Sequence, residues 1–133
     1  TGLLARAWAA LPGPPTFDRL DQFLGLNLLL LVACNVFSNV PCVMLLARVF
    51  VAAAPTPATE RAGWLLLAWS STVAGNLTFV GSIANLIVAN GAQRAVGETV
   101  GFWAYTRFGA GSTLALSSLG AALLAAMLHL GLV

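Results

Sequence analysis

The chain has 133 residues, 59% of them hydrophobic and 8% charged, with a mean hydropathy of +0.92 and a formal net charge of +2. Soluble domains carry roughly 25% charged residues, and a domain this small has too much surface for its volume to hide so much apolar side chain. The charge comes from six arginines and no lysine, too few and too scattered for a nucleic-acid surface, and the composition fits lipid instead.

The first segment, Thr1–Leu11, is apolar and stops at Leu-Pro-Gly-Pro-Pro, where proline and glycine end a helix. Arg6 and Trp8 suit a membrane interface. The segment has no basic start followed by an apolar stretch and a small-residue cleavage site, so it does not read as a signal peptide. Residues 1–15 read as the end of a preceding helix and its loop, in a fragment or C-terminal half of something larger.

Thr16 can cap a helix, with Asp18 and Asp21 favourable in its first turn. From Gln22 to Ala47 no residue is charged. Within that run Ser38-Asn39-Val40-Pro41 interrupts the helical pattern, because proline removes a donor and disfavours helix at the residue before it. Phe23–Phe37 and Pro41–Ala53 would be about 22 and 20 Å long, each short of the roughly 30 Å hydrocarbon core. Residues 16–54 therefore read as a re-entrant helical hairpin with Ser38 and Asn39 at its tip. A proline-kinked ordinary span is the alternative. Pro41 would open the second helix, whose N-terminal dipole attracts anions. Asn27, Asn35 and Asn39 recur at helical intervals and make a polar stripe that should avoid lipid. Cys34 and Cys42 lack neighbouring metal-ligand residues and read as small buried hydrophobes. Arg48, two turns past the tip, is expected to reach toward the interface.

Ala53–Arg61 reads as a polar loop, with Glu60 and Arg61 at water. An uncharged run follows from Ala62 to Gln93, too long for one straight span and too short for two. Its middle holds Gly75, Asn76, Thr78, Gly81, Ser82 and Asn85. Unsatisfied polar groups cost several kcal/mol each in hydrocarbon, so these must face protein, water or an ion. The simplest solution is a broken span over 61–91, with half-helices Ala62–Ala74 and Gly81–Asn90 around an unwound turn. Secondary transporters bind solutes at such breaks. Small-residue helix packing would explain the glycines and serines, but not Asn76 and Asn85. Gly91–Arg107 reads as a loop with an interfacial Trp103 and Tyr105, its arginines pointing to the cytoplasmic side. Phe108–Met127 is a final span within 107–130. Its Ser112, Thr113, Ser117 and Ser118 are able to bond their own helix, and His129 lies at the interface.

At SNVP (Ser38–Pro41) and STVAGNLTFVGSIANLIV (Ser71–Val88) the sequence resembles the ion transporter superfamily. That group holds arsenite-pump membrane subunits, citrate–metal symporters, NhaD-type sodium/proton antiporters and sodium-coupled dicarboxylate or sulfate symporters. The arsenite and anion permease branch is the nearest in look. The resemblance implies an all-α integral membrane fold, with hairpin, broken transmembrane helix and last transmembrane helix forming one half of an inverted-repeat secondary transporter. It assigns Ser38, Asn39, Asn76 and Thr78 to substrate, and Asn39, Gly75, Asn76, Ser82 and Asn85 to a coupling ion. Phe79 stands where proline is common and Val40 where dicarboxylate transporters carry threonine, and both departures count against dicarboxylate chemistry.

The expected function is ion-coupled alternating-access transport of an inorganic or small organic anion, or of arsenite, with Na⁺ or H⁺ as the coupling ion. No cofactor and no resident metal are expected. The expected setting is the inner or plasma membrane, crossed several times. The expected partners are the bilayer, the N-terminal half of the same transporter and the small anion, with a homodimer left open and no nucleic acid. A sodium/proton antiporter on the same scaffold is the alternative, although Asp18, Asp21, Glu60 and Glu98 all lie outside the spans. An intramembrane enzyme would need a nucleophile with its base, or a metal cluster, and no such constellation is present in the sequence. A purely structural subunit would leave the mid-span asparagines without a task.

Overall fold

A computed structural model describes residues 19–53, 56–97, 99 and 101–132. The segment 1–15, the cap at Thr16 and the acidic Asp18 and Glu98 lie outside the described residues. Five α-helices are described, α1 (Leu20–Phe37), α2 (Asn39–Ala53), α3 (Pro57–Ala74), α4 (Ile83–Val96) and α5 (Phe102–His129), with one 3₁₀ turn at Phe79–Gly81. The all-α expectation holds. Two helices, α1 and α5, are long and apolar enough to cross a membrane.

In α1, Phe23, Leu26, Asn27, Leu30, Leu31 and Cys34 are buried, a three-and-four spacing that puts them on one face. The helix stops at Ser38, whose φ of 69° and ψ of 152° lie in a region nearly reserved for glycine. Asn39 starts α2 at once, so the change of direction takes a single residue. In one continuous helix Cys34 and Cys42 would stand about 12 Å apart. Here both are buried in one cluster with Leu31 and Ala74, so α2 turns back along α1. Pro41 lies in the first turn of α2, where its missing N–H leaves no bond unmade.

The start of α3 corrects the expected loop. Thr56 and Thr59 form a reciprocal capping box, Thr59 N–H donating to Thr56 Oγ1 (3.2 Å) and Thr56 N–H to Thr59 Oγ1 (3.0 Å). Pro57 takes the first helical position, so the helix begins there and not at Ala62, with Glu60 and Arg61 inside it. The expected loop Gly91–Arg107 also shrinks. α4 runs through Gly91 to Val96 and ends on the left-handed Gly97 (φ 75°), and α5 begins at Phe102 and not at Phe108. The Tyr105 ring meets Phe79 at 4.6 Å between centroids, tilted by 53°.

The register of the core follows from its bonds. Asn27 meets Ser70 and Asn35 meets Thr78, each 43 residues apart, so α1 and α3 run side by side in the same direction. Trp69 meets Ser117 while Asn76 meets Gly109, so α5 runs against α3. Phe23, Leu26 and Leu30 of α1, Ala62, Leu66 and Leu67 of α3, and Ala121 and Ala125 of α5 make the main core. On α5 the buried face is Gly109, Thr113, Ser117, Ala121 and Ala125, small residues at every fourth position that let helices approach closely. α4 buries none of its residues, and Ile83, Ile87 and Val88 are exposed.

Candidate functional site

The break after α3 is built by its own short-range bonds and by α1. Asn76 N–H donates to Val73 O and Leu77 N–H to Ala74 O, both at 3.0 Å, which closes the last turn of α3. The chain then extends at Thr78 (φ −134°), makes the 3₁₀ turn, and extends again at Ser82 (φ −145°) before α4. Thr78 Oγ1 caps the 3₁₀ turn by accepting from Gly81 N–H at 3.1 Å. The expected half-helix Gly81–Asn90 is therefore corrected to a start at Ile83, because Gly81 belongs to the 3₁₀ turn. Thr78, Ser82 and Asn85 do not share one helical face.

The hairpin tip meets this break. A Cβ placed on Gly75 would lie 3.4 Å from Asn39 Nδ2 and 3.2 Å from Ser82 Cβ. Asn39 Oδ1 is buried and has no hydrogen-bond partner. An unsatisfied buried acceptor costs about 1–3 kcal/mol, so it marks a place where a ligand or water gains by binding. Asn85 Nδ2 donates to Gly75 O at 2.6 Å and ties α4 to the turn. A cavity of about 280 Å³ opens beside Asn39, between Val40, Val43 and Met44 of α2 and Ser71 and Thr72 of α3.

Of the residues singled out in the sequence, Asn39, Gly75, Ser82 and Asn85 gather at one place. Thr78 joins them through Asn35, to which it donates at 2.8 Å, so its hydroxyl is engaged on both sides. Ser38 is exposed at the tip. Asn76 is exposed, and its carbonyl lies against Gly109 of α5. Asn35 was legible only as part of a polar stripe, yet it holds the break directly. Its Nδ2 donates to Ala74 O at 3.0 Å and to Leu31 O at 2.9 Å. A second polar node lies two helical turns along α1, where Ser70 Oγ and Ser117 Oγ both donate to Asn27 Oδ1, at 2.8 and 2.6 Å. This corrects the expectation for Ser117, whose hydroxyl leaves its own helix. Ser112 keeps to its own helix, donating to Phe108 O at 3.0 Å.

The charge at the site is that of dipoles. The N-termini of α2 and α4 bring free N–H groups to the tip and to Ser82, while the C-terminus of α3 brings carbonyls to Gly75. The acidic residues among those described, Asp21 and Glu60, sit in the first turns of α1 and α3, about 20 Å of helix away from the break. Amides, hydroxyls and backbone dipoles of both signs thus meet in an apolar surround, an arrangement suited to a small polar solute with or without a cation.

Apolar helices packed around an interrupted helical stretch and a polar junction are in character with a membrane transporter, and known proteins agree. The chain is 40% identical over 124 residues, 90% of its length, to the silicon efflux transporter LSI3 of Oryza sativa subsp. japonica. It is 45% identical over 95 residues, 71% of its length, to a Dictyostelium discoideum protein assigned by name as a transporter, arsB. These relatives bear out the resemblance to the arsenite and anion permease branch. The chain spans 26% of the rice protein's length and 16% of the Dictyostelium protein's. No protein-family model matches the chain, and no solved structure matches it significantly.

Proposed function

We propose that this chain is the C-terminal repeat of a secondary transporter that moves a small inorganic anion or a hydroxylated metalloid such as arsenite by ion-coupled alternating access. The reading takes α1 and α2 as a re-entrant hairpin, α3 and α4 as the two halves of a broken transmembrane helix, and α5 as the last span. A related repeat from the rest of the protein would complete the site. The observation that carries it is the meeting of Asn39, with its unpartnered buried Oδ1, and the unwound turn at Gly75 and Ser82. The reversal at Ser38 supports the hairpin. At about 27 Å, α1 alone is close to the core thickness, so its length does not separate hairpin from span.

The chemistry favours a solute without strong charge. The rice relative is named for silicon efflux, and the hydroxylated acids of silicon and of trivalent arsenic are both uncharged at neutral pH. Amide oxygens and hydroxyls bind such groups without leaving a buried charge unpaired. An arginine would be expected for a fully ionised oxyanion, and Arg48 is exposed well past the tip. The antiporter reading lacks support in the described residues, whose acidic groups stand away from the break.

The test is flux of arsenite and of silicic acid in proteoliposomes holding the full-length protein, with Na⁺ replaced by choline in one arm and the proton gradient collapsed in the other. Flux is expected, and it should fall in one arm only, which names the coupling ion. Absence of flux for both solutes under every gradient would contradict the proposal.

A further inference from the structure

Asn35 is not a wall of the junction at Asn39, yet it reaches across the break more fully than any other described side chain. Its amide nitrogen donates to Ala74 O, the last carbonyl of α3, and its amide oxygen accepts from Thr78 Oγ1, the cap of the 3₁₀ turn. One planar amide thus spans the stretch where helical bonding lapses, and it comes from a residue 39 positions before Ala74. Gly81 completes the fit. A Cβ there would stand 2.5 Å from Asn35 Oδ1, closer than side chains tolerate, so any larger residue would push the amide off its partners.

We propose that Asn35 is a positioning residue that clasps the unwound turn to the hairpin and thereby sets the spacing of Asn39, Gly75 and Ser82. It does not touch the solute. Without it, the bonds left to the turn include the i→i−3 pairs at Asn76, Leu77 and Gly81, the Thr78 hydroxyl on Gly81 N–H, and the Asn85 amide on Gly75 O. Those bonds shape the turn locally, but none of them joins it to α1. The part of the inference that concerns solute affinity rests on the transport reading above; the clasp itself does not.

Hydrogen exchange on the full-length protein, followed by mass spectrometry through the segment 75–82, tests the clasp. Asn35→Ala is expected to speed exchange there by about tenfold or more, while α5 stays unchanged. Thr78→Val, which puts a methyl in place of the hydroxyl and so removes the Gly81 cap along with the bond to Asn35, should speed it to a smaller extent because the Asn35 bond to Ala74 O stays, and it serves if Asn35→Ala does not fold. Gly81→Ala should also speed exchange, because its methyl displaces the amide. In the Asn35→Ala background the same Gly81→Ala change should add less than about twofold, since the clash has gone. Unchanged exchange in Asn35→Ala and Thr78→Val, or fully additive effects of Asn35→Ala and Gly81→Ala, would overturn the clasp whatever the flux shows. Arsenite flux supplies the second arm. The half-saturating concentration should rise in Asn35→Ala relative to wild type. A lowered maximal rate with unchanged half-saturation would overturn the positioning role. Wild-type protein that moves no arsenite would instead count against the functional reading and leave the exchange result to decide the clasp.

Discussion

Asn27 is 2% exposed and uncharged, yet hydroxyls from residues 43 and 90 positions away converge on its single carbonyl oxygen. Such bonds between membrane helices contribute on the order of 1 kcal/mol each, and a stranded buried acceptor costs more than a missing bond. Ser117→Ala should therefore lower the stability of the intact protein by about 1 kcal/mol, and Asn27→Ala by about 2–3 kcal/mol through lost bonds and a small cavity. Thermal unfolding of the purified protein in detergent checks both, and the double variant should lose less than the two together. The stripe of Asn27, Asn35 and Asn39 was visible in the sequence because helical spacing puts such residues on one side. What each one binds was not, because Ser70, Thr78 and Ser117 come from distant parts of the chain. The same limit hid the two bonds that the Thr78 hydroxyl makes in the fold, to Asn35 and from Gly81 N–H.

Helices here touch where side chains are missing. Gly109 of α5 lies so close to the unwound turn that a Cβ would overlap the carbonyl of Asn76, and Gly120 lies equally close to the Trp69 indole. The two contacts differ in what can yield. Asn76 O is backbone held in a turn, whereas Trp69 is part-exposed and able to swing outward. Gly109→Ala should therefore destabilise by about 1–3 kcal/mol and disturb the turn, while Gly120→Ala should lose less than about 1 kcal/mol. Melting temperatures of the two variants, compared side by side, decide this. The elements themselves were largely legible: the break after Ala74, the stop at Ser38 and the last long helix all follow from where glycine, proline and polar residues interrupt apolar runs. Helix ends were less so. Thr56-Pro57-Ala58-Thr59 contains loop-forming residue types, but in that order it is a capping box with proline at the first position. Gly91 reads as a terminator, yet Ala92, Gln93 and Arg94 carry the helix past it to Gly97.

At the scale of the molecule, apolar side chains cover much of the outside. Val36, Phe37, Met44, Ile87, Val88 and Phe108 are all more than 60% exposed, a surface that water would not tolerate in so small a domain. Composition announced that property from the first. The polar junction is the exception to the apolar surface. It is formed where the tip of one helix pair reaches the break of another, and the account depends on a solute binding there. Asn39 is the sharpest probe of that claim, since its Oδ1 has no hydrogen-bond partner in the fold. The decisive measurement is arsenite flux in proteoliposomes of the full-length protein carrying Asn39→Ala, at the same reconstituted amount and melting temperature as wild type. Flux near background is predicted; flux equal to wild type would contradict the account.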